Sequence, residues 1–298
     1  MVAKGEIRCV APVGDRCGEG VVWHAKEEAV YWSDINRFLI HKLDTATEAV
    51  TTWQFEEPVT ALVLTDRDDI MTVVFASKVM LWRLSDHQLG DVVFRLSTSP
   101  AMRCNDARAD PRGSLWVGTM KNNVGNHGED ISAVFESGVL YRIDPDRTVT
   151  EWKTDVGISN TLAWSPDKAV FYFADSVANA IYAYDYDFSQ GTIRGERPFL
   201  EGLKLGLPDG SAIDSEGCLW NARYGAGCIL CVARDGSTKE QLMLPVKRPT
   251  TCTFGGRDLK TLYITSAASE ERFAGGLFAV DVSVPGLPEN RFRCFQGF

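Results

Sequence analysis

The stretch RCNDARADPRGSLWVGTM, Arg103 to Met120, decides how this chain is read. Asp110-Pro111-Arg112-Gly113 predicts a turn, because proline fixes φ and glycine admits positive φ. Ser114 to Thr119 then predicts a strand, with Leu115, Trp116 and Val117 suited to a pleated surface. Ahead of the turn, Arg103, Asn105 and Asp106 set a cation, an amide and a carboxylate close together. Polar groups so placed beside a hydrophobic strand are satisfied locally or aimed at something.

The stretch recurs. NDARADPRGSLWVGT from Asn105 parallels EGVVWHAKEEAVYWSD from Glu19, NTLAWSPDKAVFYFAD from Asn160, DGSAIDSEGCLWNAR from Asp209 and TCTFGGRDLKTLYITS from Thr251. Each runs from a polar residue through a short apolar strand and a turn to a second strand with an aromatic anchor: Tyr31, Trp116, Tyr172, Trp220 or Tyr263. A weaker copy from Thr60 carries Met71 instead. Six units at roughly 40–56-residue spacing match the period of propeller blades. The chain therefore predicts an all-β, six-bladed propeller in one domain, residues 1–298.

Blade innermost strands line the central channel, so equivalent positions in different blades converge there. Glu19 and Asn160 each lie twelve residues before their anchor, and Asn105 and Asp209 eleven before theirs. Converging carboxylates and amides describe a site for a hard divalent cation. Asp106 is a rival to Asp209 as a proton acceptor. Adjacent strand residues face opposite ways, which predicts that Asp106 points away from the channel if Asn105 points into it.

The chain also resembles the regucalcin/gluconolactonase family (senescence-marker protein type). The resemblance rests on Cys17-Gly18-Glu19-Gly20, Arg103-Cys104-Asn105-Asp106, Gly118-Thr119-Met120, Ser159-Asn160, Pro208-Asp209-Gly210 and Thr253-Phe254-Gly255-Gly256, in that order. It implies a six-bladed propeller that hydrolyses a sugar lactone with one divalent metal. Glu19, Asn160 and Asp209 would be its ligands, Arg103 and Asn105 would bind substrate, and Asn123 would stand where relatives place an acidic substrate contact. Asp209, touching metal and water, would be the catalytic base. All-oxygen ligands admit Ca²⁺, Mg²⁺, Mn²⁺, Fe²⁺ or Zn²⁺. Cys104 and Thr161 depart from the family pattern, the latter standing where relatives often carry glycine. Hydrolysis of another ester or a phosphotriester stays open, as does a non-enzymatic calcium-binding regulatory role. Arg103 favours the enzyme, because calcium alone needs no guanidinium nearby.

With 298 residues, 45% hydrophobic and 24% charged, the composition is that of a globular domain. A net charge of −9 argues against nucleic-acid or anionic-membrane partners. MVAKGEIRCVAPVGDR has no apolar h-region and no run reaches membrane-helix length, so a cytoplasmic location is expected. The eight cysteines then predict free thiols, including the Cys228/Cys231 pair. No GxSxG elbow or phosphate-binding loop is present.

The expected blades run from Gly18 to Asp44, from Val50 to Leu84, from the opening stretch to Ile143, from Trp152 to Tyr186, from Pro198 to Arg234, and from Gln241 to Val282. A strand within Glu6 to Val13 is assigned to the last blade. Lys121 to Gly138 predicts a long polar loop with little apolar surface to fix it, suited to tuning specificity.

Overall fold

The computed structural model describes residue 3, residues 5–135 and residues 137–294; residues 1, 2, 4, 136 and 295–298 of the expected domain and loop lie outside the described residues. Among the described residues every regular element is a strand, and the strands form six four-stranded antiparallel sheets. The first sheet runs β1 (Arg8–Ala11) aside, through β2 (Gly18–His24), β3 (Ala29–Asp34), β4 (Leu39–Asp44) and β5 (Val50–Gln54). The next four sheets begin with β6 (Val59–Leu64), β10 (Met102–Ala109), β14 (Ser159–Trp164) and β18 (Leu207–Ile213), each followed by its next three strands. The sixth takes β22 (Pro249–Gly255), β23 (Thr261–Ser266) and β24 (Leu277–Asp281), and β1 adds to its outer edge.

β2, β6, β10, β14, β18 and β22 each pack against the equivalent strands of the two neighbouring sheets, and β22 returns to β2. That closed ring makes the fold a six-bladed propeller. Its core lies between blades rather than at one centre. Tyr31 and Trp82 pack the first blade on the second, Trp116 packs the third on the fourth, and Trp220 packs the fifth on the sixth. Trp82, Trp116 and Trp220 are wholly buried. Truncating one such side chain costs about 3–5 kcal/mol.

The decisive turn is built as its residues dictate. Asp110 Oδ1 accepts the backbone N–H groups of Arg112 and Ser114, both at 2.9 Å, and Oδ2 accepts Trp116 Nε1–H at 3.0 Å. Asp214 repeats this in the fifth blade, accepting Cys218 N–H and Trp220 Nε1–H. One carboxylate thus closes the turn and fixes the anchor.

Blade boundaries differ from those expected. β5 and the strands Val149–Val156, Thr192–Glu201 and Thr238–Met243 are the outer edges of the first, third, fourth and fifth blades. The sequence reading gave each, or its latter part, to the following blade. These edges carry no anchor and are mostly exposed, so nothing local ties them to the preceding strand.

The loop after Lys121 is also better fixed than its composition predicts. Val124 is buried, and Asn36 Nδ2 donates to Gly128 O at 2.9 Å and to Asp130 Oδ1 at 3.0 Å. Residues 285–294 cross the end of the channel where the inner strands finish. Leu287 N–H donates to Ile213 O, Phe292 N–H to Leu64 O and Arg293 N–H to Gly113 O. Phe292 is fully buried there. No helix in the described residues is long and apolar enough to cross a membrane.

Candidate metal and substrate site

All six inner strands shift register near their starts. The breaks fall between Glu19 and Val22, Val59 and Ala61, Cys104 and Ala107, Asn160 and Leu162, Pro208 and Ser211, and Pro249 and Cys252. A bulge puts extra residues opposite a partner strand and re-aims their side chains, which is why bulges gather at active sites. Glu19, Asn105, Asn160 and Asp209 all sit at these breaks. Gly20, with φ 59°, shows one local reason: a Cβ there would meet Ala61 Cα at 2.7 Å.

The break in β10 interrupts the ladder on which the alternation at Asp106 is based. Asn105 and Asp106 together oppose Gly118, so the two residues do not simply alternate faces. Asp106 Oδ1 accepts Ala107 N–H at 2.8 Å, the local bond expected of it, but its charge also acts on Glu19 and Asp209. Burial pushes its carboxyl up to about 6, against the opposing pull of Arg108 and the N–H groups of Ala107 and Thr161. Burial, followed by the charges of Asp209 and Asp106, raises Glu19 well above the ordinary carboxylate range. Burial and then Asp106 do the same to Asp209.

Asp106 therefore raises the proton affinity of both Glu19 and Asp209, and Asp209 raises that of Glu19 further. The hydrogen bond to Glu19 comes from Gly20 N–H, at 3.1 Å, and not from a cationic side chain. Such a group is short of positive charge, and its donors are all oxygen. The carboxylates of Glu19 and Asp209 and the amide oxygen of Asn160 are the donor types a hard divalent cation takes.

Arg103 borders this group, its charge acting on Glu19. It is 5% exposed, and its hydrogen-bond acceptors are neutral: Cys104 O at 2.9 Å, Asn105 Oδ1 at 2.7 Å and Asn123 Oδ1 at 2.9 Å. Burial pushes its guanidinium down to about 10. Asn105 Nδ2 reaches the fourth blade, donating to Ser159 O at 2.9 Å and Asn160 Oδ1 at 3.1 Å. Asn160 Nδ2 donates to Ser176 Oγ at 2.9 Å, and that hydroxyl donates to Pro208 O at 2.6 Å. Arg103, Asn105, Asn123 and Asn160 are thus one hydrogen-bonded run, which Glu19 meets through the charge of Arg103.

Cys17 and Tyr224 also belong here, since both thiol and phenol feel Asp209. Neither stands at the repeat position, so spacing could not find them; Cys17 lies only two residues before Glu19. Thr161 holds the departure noted in the sequence. It adopts φ 50° and donates its hydroxyl to Asp209 O, with Ser211 Oγ at 2.9 Å. His127 is exposed on its loop.

All eight cysteines are free. Cys228 and Cys231 pack in separate clusters. Cys231 instead nears Cys218 and Asp214. The Asp214 carboxylate is already occupied by Glu216 N–H, Cys218 N–H and Trp220 Nε1–H.

Known proteins resemble this chain over nearly its whole length. Residues 17–268 match the SMP-30/gluconolactonase/LRE-like region. The 6-deoxy-6-sulfogluconolactonase of Pseudomonas putida is 35% identical across 96% of this chain and 98% of its own. The pentonolactonase of Haloferax volcanii is 35% identical across 93% of this chain and 94% of its own. The solved structure of the calcium-binding protein regucalcin from Agrobacterium tumefaciens superposes with a TM-score of 0.88 at 27% identity, covering 97% of each chain. The fold, the row of polar residues at the register breaks and these likenesses lead to one conclusion: the chain belongs to the SMP-30/gluconolactonase/LRE-like family.

Proposed function

We propose that this protein hydrolyses a sugar (aldono-)lactone to its sugar acid, using one divalent cation held by Glu19, Asn160 and Asp209. The observation that carries the reading is a pair of carboxyls, Glu19 and Asp209, whose proton affinity burial and neighbouring carboxylates raise, with a buried guanidinium close to Glu19 whose acceptors are all neutral. A cation supplies charge to polarise the lactone carbonyl when bound. The rest falls to the chain. Arg103 and Asn105 hold hydroxyl or ring oxygens of the sugar, and Asn123 keeps Arg103 pointed at them. Asp209 takes a proton from water as its oxygen forms a bond to the carbonyl carbon. The ring carbon–oxygen bond then breaks, and the proton passes to the departing oxygen, leaving a hydroxy acid.

A calcium-binding role without catalysis is the second reading, favoured by the likeness to a calcium-binding regucalcin. One experiment separates them. Metal-stripped protein is reloaded with Ca²⁺, Mg²⁺, Mn²⁺, Fe²⁺ or Zn²⁺ singly and offered a panel of pentono- and hexonolactones, with acid release followed. Turnover with at least one pairing is expected. Tight cation binding with no turnover on any lactone would leave only the second reading.

A further inference from the structure

We propose that Glu289, on the segment crossing the finishing end of the channel, is a positioning residue for the metal centre and acts through Arg108. The proposal rests on the reading of Glu19 and Asp209 as cation ligands. It begins with a contact spanning the ring. Glu289 Oε1 accepts Arg108 Nη1–H at 2.8 Å and Thr253 Oγ1–H at 2.8 Å. Arg108 belongs to β10 in the third blade and Thr253 to β22 in the sixth, which stand opposite in a ring of six. One carboxylate from outside the blades therefore ties two facing inner strands across the channel.

Arg108 is 8% exposed and lies two residues beyond Asp106. Burial opposes its charge, but Glu289 and then Asp106 outweigh that and hold the guanidinium above its usual range. Asp106 in turn acts on Asp209 and Glu19. Charges thus alternate down the channel, from the ligand carboxylates and Asp106 to Arg108 and finally Glu289. With Glu289 in place, Arg108 is shared between two carboxylates, and Asp106 keeps negative potential to offer a cation. Without that charge, Arg108 faces Asp106 alone and offsets it. A cavity of about 320 Å³ lies beside the pair, lined by Arg108, Leu162, Ser211, Phe254 and Glu289, so the contact is open to water on that side.

Glu289→Gln keeps the side chain's length and an acceptor oxygen while removing the charge. Full-length protein is stripped of metal and titrated calorimetrically with Mn²⁺ and Ca²⁺. For Glu289→Gln, affinity is expected to fall by roughly three- to thirty-fold, the scale of one partly screened charge at short range. The melting temperature of the metal-free protein should fall, because Arg108 loses a partner where it is buried, while the lactone KM at saturating metal should stay close to wild type. Glu289→Asp should recover most of the affinity. Arg291 anchors the same segment to Thr65 O at 3.0 Å and Asp68 at 2.8 Å, outside this contact. Arg291→Met should lower the melting temperature without weakening metal binding. Wild-type affinity in Glu289→Gln, or an equal loss in Arg291→Met, would overturn the proposal. A wild-type protein that binds neither cation would remove the site beneath it, whereas cation binding without lactone turnover would sink only the reaction.

Discussion

Asn105 Nδ2 donates to Asn160 Oδ1 at 3.1 Å, joining the third blade to the fourth. The same Asn105 accepts from Arg103 through its oxygen at 2.7 Å. A group read as a substrate contact is therefore also the brace of a group read as a metal ligand. Asn105→Ala should raise lactone KM and weaken cation binding, each by about two- to tenfold, since a hydrogen bond is worth about 0.5–1.5 kcal/mol. Calorimetry on the metal-free variant checks the second effect separately. Unchanged cation affinity would show that Asn160 is held without its neighbour.

Asp209→Asn and Asp106→Asn should fail differently. Loss of a general base costs about 10²–10⁴-fold in rate, so Asp209→Asn is expected to drop kcat by that range at saturating metal. Asp106→Asn relieves the repulsion on Glu19 and Asp209 and subtracts a negative charge, so it should weaken cation binding while leaving kcat within tenfold once metal saturates. Equal kcat losses would reassign the proton acceptor.

The acid cluster also sets a pH dependence. Asp106 titrates near 6 in the folded, metal-free protein against an ordinary value of 3.8, and Glu19 and Asp209 shift the same way. The folded state then holds more protons than the unfolded chain, so this contribution to stability is lost as pH rises from about 4 through 6 and beyond. A cation replaces those protons. The rise in melting temperature on adding Ca²⁺ or Mn²⁺ should therefore grow between pH 5 and pH 8, reaching about 2.7 kcal/mol of stabilisation at a hundredfold excess over Kd. A metal-induced rise that does not change with pH would contradict the cluster.

Thr161 combines a left-handed backbone with a hydroxyl that reaches Asp209 O. A β-branched residue at positive φ stores about 1–3 kcal/mol of strain. Thr161→Val keeps that strain and deletes the hydroxyl, so it should lose about 1–2 kcal/mol in chemical denaturation. Thr161→Gly loses the same bond but relaxes the backbone, and should come out more stable than the valine variant. The reverse order would mean that the backbone here is unstrained.

The six blades were legible because each second strand buries an anchor a fixed distance after a turn, and burial is what spacing records. Tyr31, Trp116 and Trp220 are all at most 2% exposed. Outer strands such as β5 bury little and take their place from neighbours already folded, so their ownership was not written locally. Glu19, Asn105, Asn160 and Asp209 were found because they share a row. Asp106 makes the local bond its sequence suggests, but the break opposite Gly118, which depends on how β10 meets β11 (Leu115–Lys121), could not be read from alternation, which assumes an unbroken ladder. Glu289 gave no signal, because its segment has no strand period and draws its meaning from Arg108, 181 positions away.

The register breaks have a wider consequence. Every inner strand carries one at the same level, including those at Thr60 and at Thr250-Thr251, where no acid or amide stands. The propeller thus presents a dial of interchangeable stations, each re-aimed by its own backbone kink and each supported by a separate seam between blades. A station can be rewritten by a single codon without disturbing the ladder on either side. New chemistries can therefore arise on this scaffold by relabelling stations, while the architecture that holds them stays as it is.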